Sequence, residues 1–508
     1  ARQLVQRISA IAANECGNGW GASLVPPATH SVDEVLGQIR SLPQALGLSE
    51  SSLNVEAGDV FVACAANDDT RLQHMEAAAR AGAVAFVIDA EAEPLGHSTL
   101  PTFQMSELAK HRGTLAAKFY GDPSRPMTCI GVTGTNGKTS IAYHLADLGN
   151  LLKVPTGYSG TLGWGAPDEL VDSGMTTASP VLLQRQFAAM SHKGMEQVAM
   201  EVSSHALDQD RAQAIHMDVG VFSNLTRDHL DYHGSMQKYA EAKTKLFTNW
   251  PLALAVINSD DELGRKLMTC ARAENTLSYG GGGDIVWRAM TAREGMRVLF
   301  ETPWGQLDSI LPLAADFAVA NVAAAIAVLL GSGHTVGDLE EALAQLHPVP
   351  GRMQVLEGEG DMPKVIVDFA HTPDALDKVL AALSQQTKSQ LICVVGCGGN
   401  RDQGKRPEMA QVVAARANRA WFTSDNPRDE NPEAILQDML KGLTSQQQRA
   451  VHVEQDRASA IAQAIQSAGP DDLIVIAGKG HESTQEIAGI KHPFSDAQVA
   501  QKIMKENA

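Results

Sequence analysis

At 508 residues the chain exceeds what one hydrophobic core organises, so two to four domains are expected, three being the natural division. Hydrophobic residues make up 44% and charged residues 20%, with a net charge of −18. Nucleic acid and anionic membrane are excluded as partners, because both need a basic face, and anionic small substrates must be met by local basic, N–H-rich pockets. The six cysteines are scattered without a C-x-x-C pair, which suits a reducing cytosol. The chain opens without Met, so a trimmed start is expected, and Ala1-Arg-Gln-Leu-Val-Gln-Arg7 lacks the apolar stretch of a secretory signal. No apolar run is long enough to span a bilayer; the best, Ala318 to Leu330, is short and carries Asn321. No internal repeat or low-complexity tail is visible.

A first small α/β unit is predicted from Gly58-Asp-Val-Phe-Val-Ala-Cys64, a helical pattern over Leu72 to Ala81 and the strand pattern Ala83-Val-Ala-Phe-Val-Ile88. A helix over Ser106 to Phe119 and the linker Gly121-Asp-Pro-Ser-Arg-Pro126 lead to the apolar Cys129-Ile130 and the turn Gly131-Val-Thr-Gly134-Thr-Asn-Gly137-Lys138-Thr139-Ser140, which opens a helix. A glycine-rich turn between strand and helix aims backbone N–H groups and the positive helix end at a polyphosphate. Lys138 would neutralise the β/γ-phosphates and the Thr139 hydroxyl would face Mg²⁺. The spacing departs from the strict phosphate-loop pattern, since Val132 stands where its first glycine belongs.

Beyond the loop, Gln197-Val-Ala-Met-Glu-Val202, Val219-Gly-Val-Phe-Ser-Asn224 and Leu254-Ala-Val-Ile-Asn258 read as buried parallel strands alternating with helices, which implies a doubly wound sheet. An Ala-rich helix over 317–331 and the break His347-Pro-Val-Pro-Gly351 follow. Lys364-Val-Ile-Val-Asp368, Leu391-Ile-Cys-Val-Val-Gly396, Ala420-Trp-Phe-Thr-Ser-Asp425 and Leu473-Ile-Val-Ile-Ala-Gly478 then predict a second sheet. Cys393 and Cys397 end a strand without further clustered ligands and read as core. Ligands gather at the carboxyl ends of such strands. There stand Glu201, Ser203 and His205, then Asn224, Thr226, Arg227, Asp228 and His229. Glu201 and His229 could hold Mg²⁺ or Mn²⁺ opposite the phosphate loop; taken singly, each also reads as a packed polar residue at a strand end.

Thr135-Asn-Gly-Lys-Thr139, Glu201-Val-Ser-Ser-His205, Asn224-Leu-Thr-Arg-Asp-His-Leu-Asp-Tyr-His-Gly234, Asp368-Phe-Ala-His-Thr-Pro-Asp374, Gly396-Cys-Gly-Gly-Asn-Arg401 and Gly478-Lys-Gly-His-Glu482 together resemble the Mur ligases, ATP-dependent amide-forming enzymes of peptidoglycan synthesis, and within them the diaminopimelate-adding MurE type. The resemblance runs from about residue 107 to the end. It implies an α/β protein of three domains: a small N-terminal α/β domain (1–106) for the UDP-linked substrate, a central P-loop-type doubly wound domain (107–349) for ATP, and a C-terminal Rossmann-like domain (350–508) for the amino acid. It further implies that the γ-carboxylate of a D-Glu residue attacks the γ-phosphate of ATP, and that an amine then displaces phosphate from the acyl phosphate. Charge cancellation by Lys138 and Mg²⁺ is the main catalytic task, since two anions must meet.

By the same resemblance Thr139, Glu201, His229 and Lys243 are the metal residues, Lys243 after carbamylation by CO₂. Lys245 is the alternative for that role, and a surface lysine on an amphipathic helix is the plain reading of either. Gly134, Thr135, Asn136, Gly137, Lys138, Thr139 and Ser140 would cradle ATP, with Asn321 beside the adenine, Arg352 near the phosphates, Asp368 at the ribose and His371 against the nucleotide. Around Asn321 the chain departs from the family, with Ala315-Asp-Phe-Ala318 in place of Gly-x-Phe-Asn.

Asp425-Asn426-Pro427-Arg428 follows the strand at 420–423, and Pro427 fixes the turn. An arginine fork grips a carboxylate, which a lysine-accepting enzyme has no use for at the far end of its substrate. The resemblance assigns meso-diaminopimelate to Arg401, Asp425, Asn426, Arg428, Gly478 and Glu482. It assigns the UDP-muramoyl dipeptide to Gly160 and Thr161, Thr176 and Thr177, Ser203, Gln209, Arg211 and, in the first domain, Ser52. There Ser51-Ser52-Leu53 replaces the family's Asp-Ser-Arg, and Asp68-Asp-Thr-Arg71 stands where an Asp-Gly pair is usual. A related ligase acting on another carboxylate donor, a folylpolyglutamate synthetase, and a non-catalytic nucleotide-binding protein of this fold are the alternatives; Asp425 to Arg428 and Thr176-Thr177 speak against the second, and the intact Lys138, Thr139, Glu201, His229 and Lys243 against the third. A cytoplasmic monomer taking small-molecule substrates is expected.

Overall fold

The computed structural model describes residues 30–507 apart from 66, 97, 293–294, 357–361 and 388. The N-terminal stretch read as lacking a signal, and Cys16, lie outside them. The backbone separates into two compact units, one ending at His111 and one beginning at Arg112.

In the first unit four parallel strands run in the order Gly47–Ser49, Asp59–Val62, Ala85–Asp89, Thr102–Met105. Phe61, Phe86 and Ile88 of these strands pack against Met75 and Ala78 of the helix Asp68–Ala81. That helix starts earlier than Leu72 because the Asn67 side chain accepts the Thr70 N–H (2.9 Å) and Asp68 and Asp69 suit the positive helix end. The next helix begins at Leu108 rather than Ser106, where the Asp89 side chain accepts the Leu108 N–H (3.0 Å). Ser52 sits in the turn after the first strand of this unit.

The second unit holds two large sheets. Seven strands lie in the order Ala273–Tyr279, Leu252–Asn258, Val219–Phe222, Thr128–Thr133, Gln197–Glu201, Thr156–Gly160, Gly163–Gly165, all parallel except the last. The helices Lys138–Leu151 and Asp316–Gly331 cover one face through Ile141, Leu145, Ala324 and Val328, and Pro180–His192 and Met236–Thr248 cover the other through Leu183, Phe187, Leu246 and Phe247. Both faces are therefore buried, which is why the strands read as continuous apolar runs. Asp316–Gly331 is apolar all round because its outer side is covered too, by Val298, Phe300, Leu307 and Leu311 of a three-stranded antiparallel sheet, Val286–Ala292, Gly295–Thr302, Gly305–Leu311. No described helix is long and apolar enough to cross a membrane.

After His347-Pro-Val-Pro-Gly351 a six-stranded sheet runs Gln354–Leu356, Lys364–Asp368, Leu473–Ala477, Leu391–Cys397, Arg419–Ser424, Val451–Val453, with only the first strand antiparallel. Helices Pro373–Ser384, Lys405–Arg416 and Pro432–Leu440 pack on one face, Arg457–Gln466 and Asp496–Glu506 on the other. Cys393 and Cys397 are core residues, and burial pushes each thiol up to about 12. The carboxyl ends of Leu391–Cys397, Arg419–Ser424 and Leu473–Ala477 release the loops at 398–401, 425–428 and 478–482 on one edge of the sheet.

His144, in the middle of Lys138–Leu151, is 2% exposed, and burial pushes its imidazole down to about 4. The folded protein keeps it neutral until about pH 4, while the unfolded chain takes up the proton near the usual 6.5. Between these values the unfolded state binds more protons, so stability falls as pH drops through the window, by about 3 kcal/mol in full. His144→Leu is expected to flatten the melting-temperature profile between pH 6.5 and 4. Parallel profiles for parent and variant would remove His144 as the source of acid sensitivity.

Candidate active site

One cavity of about 980 Å³ is lined by the loop Thr135 to Ser140 on one side and by Arg401, Asn426, Arg428 and Glu482 on another. The phosphate loop is shaped by two glycines with left-handed backbones, Gly134 (φ 152°) and Gly137 (φ 87°). A Cβ on Gly134 would overlap the Ser223 hydroxyl and come within 3.0 Å of Asn224 N; one on Gly137 would lie 2.5 Å from Asn321 Oδ1. The strand ends therefore press against the loop and hold it: Thr135 N–H donates to the Asn224 carbonyl (2.7 Å) and Asn136 N–H to Asn224 Oδ1 (3.0 Å). Lys138 Nζ donates to the carbonyls of Gly134 and Thr135, both at 2.9 Å, and burial holds its amine below the usual range while Glu201 opposes the shift.

Glu201 ends its strand almost wholly buried (1% exposed). Its Oε1 accepts from Tyr158 Oη (2.5 Å) and Thr161 N–H (2.8 Å), and its Oε2 from Thr139 Oγ1 (3.0 Å) and Thr161 Oγ1 (3.3 Å). A Cβ on Gly160 would collide with Glu201 Oε1 and the Tyr158 hydroxyl, so glycine is required in that turn. Arg352 reaches the same cluster, Nη2 donating to Thr139 Oγ1 (3.3 Å), with its guanidinium 4.3 Å over the Phe369 ring. Thr139, Glu201 and His229 all line the cavity. Among the described residues no three His, Cys, Asp or Glu side chains form a metal cage. One carboxylate, one hydroxyl and one imidazole are a sparse set that fits Mg²⁺, which keeps water and substrate phosphate among its ligands, and does not fit a closed protein-only metal centre.

Lys243 is 1% exposed; Nζ donates to Gly134 O (2.7 Å) and stands 4.5 Å over the Tyr239 ring. Burial, reinforced by neighbouring Lys138 and opposed by Asp228, holds its amine well below the usual lysine range. Lys245 instead faces outward to Asp208 (3.3 Å). His229 has a left-handed backbone (φ 52°) and lies 3.4 Å from Asp228.

Thr161 and Thr176 line the cavity, their hydroxyls 3.0 Å apart. Behind them Thr177 Oγ1 donates to Glu201 O (2.9 Å) and accepts from Ser203 N–H (3.0 Å), while Arg211 bonds Thr177 O (3.0 Å) and Gln209 Oε1 (2.7 and 2.9 Å). These residues form one continuous run. Of the expected nucleotide residues, His371 lines the cavity, its Nδ1–H donating to Phe369 O (2.8 Å). Asn321 backs Gly137 on Asp316–Gly331 and is not part of the cavity wall. Asp368 also lies behind the wall, its two oxygens accepting the N–H groups of Met353 and Ala370 at 2.8 Å each. It braces the turn that carries Arg352.

On the wall built by the C-terminal sheet Arg428 (φ 51°) donates from Nη1 to Gly399 O (2.8 Å) and lies 3.4 Å from Glu486. Asp425 and Gly478 sit beneath: Asp425 Oδ1 accepts Asn426 N–H (2.7 Å), and a Cβ on Gly478 would lie 2.8 Å from Asp425 Oδ2. Gly351 crosses Gly480 and His481 so closely that a Cβ there would overlap their backbone, which ties the Pro350-Gly-Arg turn to the loop at 478–482. His481 lines the cavity with Nδ1 unpartnered among the described residues, and burial beside Arg352 pushes it down to about 4. Sequence reasoning passed over His481, Tyr158 and Lys479, although two of the three lie inside a motif it singled out.

A family model described as the Mur ligase middle domain matches residues 132–329, and one described as Mur ligase, glutamate ligase domain matches 351–480. The chain is 42% identical over 478 residues to the UDP-N-acetylmuramoyl-L-alanyl-D-glutamate–2,6-diaminopimelate ligase of Chromobacterium violaceum, covering 91% of this chain and 96% of that one. With the protein of the same name from Pseudomonas aeruginosa it shares 42% over 463 residues, 90% and 94% of the two chains. Among solved structures, one of a UDP-N-acetylmuramoyl-L-alanyl-D-glutamate–2,6-diaminopimelate ligase superposes with a TM-score of 0.64 at 33% identity, covering 94% and 99%. The MurF ligase of Thermotoga maritima in complex with ADP gives 0.66 at 20% identity, covering 92% and 99%, a likeness of fold alone.

Proposed function

The chain belongs to the Mur ligase family, and on that premise we propose that it joins meso-diaminopimelate to the D-glutamyl γ-carboxylate of UDP-N-acetylmuramoyl-L-alanyl-D-glutamate, at the cost of ATP. The observation that carries this reading is that one and the same cavity has a phosphate loop on one wall and Arg401, Arg428 and Glu482 on another. The γ-carboxylate oxygen attacks Pγ and ADP leaves; the neutral acceptor amine then attacks the acyl carbon, the C–O bond to phosphate breaks, and nitrogen gives up a proton.

Lys138 exchanges the Gly134 and Thr135 carbonyls for phosphate oxygens, and Arg352 supplies the second positive charge beside Thr139. Thr139, Glu201, His229 and Lys243 as its carbamate would hold Mg²⁺. When bound, that ion neutralises phosphate charge. Glu201 is oriented for this by the hydrogen bonds it accepts from Tyr158 and Thr161. Thr161, Thr176 and the run to Arg211 receive the dipeptide and diphosphate, and Ser52 belongs to the uridine side. Asn321 and His371 are assigned to the nucleotide, and the 1–106, 107–349 and 350–508 segments to substrate, ATP and amino acid. The enzyme works as a cytoplasmic monomer.

The test is phosphate release and product mass with Mg-ATP, bicarbonate and the UDP-linked dipeptide, offering meso-diaminopimelate and L-lysine in parallel. A tripeptide product with diaminopimelate only is expected. No product with either, from protein that still binds ATP, would move this chain to another donor, as the altered Ser51-Ser52-Leu53 stretch would then require.

A further inference from the structure

We infer that Lys479 is a positioning residue that fixes the direction in which Asn426 and Glu482 face the acceptor, and thereby sets preference for a far end bearing both a carboxylate and an ammonium group. The inference rests on the acceptor reading above. Lys479 stands between Gly478 (φ 113°) and Gly480 (φ 54°) and is 0% exposed. Its Nζ donates to Glu482 Oε2 (2.7 Å), the Thr484 carbonyl (2.8 Å) and Asn426 Oδ1 (3.1 Å). All three ammonium protons are used, so Lys479 has none left for a ligand.

A lysine has no acceptor to offer, so the oxygen of Asn426 must face it. That oxygen also accepts Glu486 N–H (2.9 Å), which fills both lone pairs, while Asn426 Nδ2 donates to Glu482 Oε2 (2.7 Å). Asn426 therefore has only its second N–H to give to the cavity and acts there as a donor. Glu482 Oε2 is saturated by Lys479 and Asn426, and Oε1 carries no hydrogen bond among the described residues. Glu482 thus offers one fixed oxygen as an acceptor. A donor near the Arg428 fork and an anionic acceptor on Glu482 match the carboxylate and ammonium of an amino-acid head group. Without Lys479 the Asn426 oxygen keeps only the Glu486 N–H, so the amide is held less firmly, and the Glu482 carboxylate loses its charged partner.

The platform beneath is held by a second buried cation. Arg457, 1% exposed, pairs with Asp496 (2.7 Å) and donates to Ser424 O (3.4 Å) and Ala477 O (2.9 Å), the strand ends from which both acceptor motifs depart. Lys479 therefore acts between two loops whose roots are bridged by one buried guanidinium.

The experiment compares wild type, Lys479→Met and Lys479→Gln with meso-diaminopimelate, 2-aminopimelate (no distal ammonium) and L-lysine (no distal carboxylate), at saturating ATP and UDP-linked dipeptide. In Lys479→Met the KM for diaminopimelate is expected to rise about 30-fold, the loss of a charge-assisted hydrogen bond, with the KM for ATP within about two-fold. The kcat/KM ratio of diaminopimelate to 2-aminopimelate should shrink about ten-fold, because the loss falls on the acceptor that carries the ammonium. A purely structural role would lower both acceptors together; a retained ratio, or an unchanged diaminopimelate KM, overturns the inference. Lys479→Gln, which keeps a shorter, neutral donor, gives the same readout with a smaller shift if methionine prevents folding. Wild-type protein that uses none of the three acceptors overturns the acceptor reading, and this inference with it.

Discussion

Lys138→Met is expected to lower kcat by about a thousand-fold while leaving the fold intact. The reaction brings a carboxylate onto a polyphosphate, and one unit charge about 4 Å away at an effective dielectric of about 20 is worth about 4 kcal/mol, or about three factors of ten in rate. Lys138 is the cation built into the loop that would face those phosphates. Its Nζ already sits between the Gly134 and Thr135 carbonyls at 2.9 Å each, a posture that swings to phosphate oxygens without moving the backbone. Lys138→Arg is expected to fail nearly as badly, since a planar fork cannot share the space between two loop carbonyls as a compact ammonium does. Initial-rate ADP release with saturating substrates, beside a thermal melt, is the measurement. A Lys138→Met enzyme within ten-fold of wild type would take the burden of charge neutralisation off this residue and put it on Arg352.

Much of this site could be read from the chain because its chemistry sits where the chain must do something unusual. Gly134 and Gly137 are the only residue type that fits between the loop and Ser223, Asn224 and Asn321, so the phosphate loop announces itself despite Val132. Glu201, Asn224 and Asp425 stand at the carboxyl ends of parallel strands whose two buried faces leave a continuous apolar signal. The antiparallel sheet from Val286 to Leu311 left none: along Gly305–Leu311 exposed and buried residues alternate, and its apolar density is too low to stand out. The helix start at Asp68 depends on one cap, Asn67, which weighs little against the apolar periodicity that begins at Leu72.

Within the site, what stayed hidden is what depends on partners distant in sequence. By resemblance the pattern Asp368-Phe-Ala-His371 implies an acid near a nucleotide, but only the fold shows that its oxygens are committed to the Met353 and Ala370 amides. Lys479 looks like any exposed lysine until Asn426, Glu482 and Thr484 close around it. Arg457 is likewise unremarkable in its helix, and is a buried clamp only because Asp496 arrives from the last helix. Tyr158 gains its role by standing 2.5 Å from Glu201, 43 residues on.

Arg428→Ala is expected to raise the KM for meso-diaminopimelate about a hundred-fold, with the KM for ATP within about two-fold, because a site built to pair a carboxylate loses about 3 kcal/mol when its fork is removed. Arg428 has the geometry for that task. Its backbone is held in the left-handed region by Glu486 O on its N–H (3.0 Å) and Ala488 N–H on its carbonyl (2.7 Å), so the turn sets the direction in which the side chain leaves the main chain. Nη1 is used on Gly399 O (2.8 Å) and Nε lies 3.4 Å from Glu486, which leaves Nη2 as the least committed nitrogen of a side chain that lines the cavity. Removing it also frees Gly399, so the alanine variant alone would confuse a lost contact with a loosened loop. Arg428→Lys separates them: it keeps the charge and loses the fork, and should recover less than a tenth of the lost acceptor affinity if two-point recognition matters. L-Lysine supplies the second control. Lacking the distal carboxylate, it should be used equally poorly by wild type and variant. If L-lysine turnover instead rises in Arg428→Ala, then Arg428 excludes the smaller acceptor as well as holding the larger one. If diaminopimelate kinetics do not change at all, the carboxylate is held by Arg401 alone, and the choice of acceptor must be sought in Glu482 and Asn426.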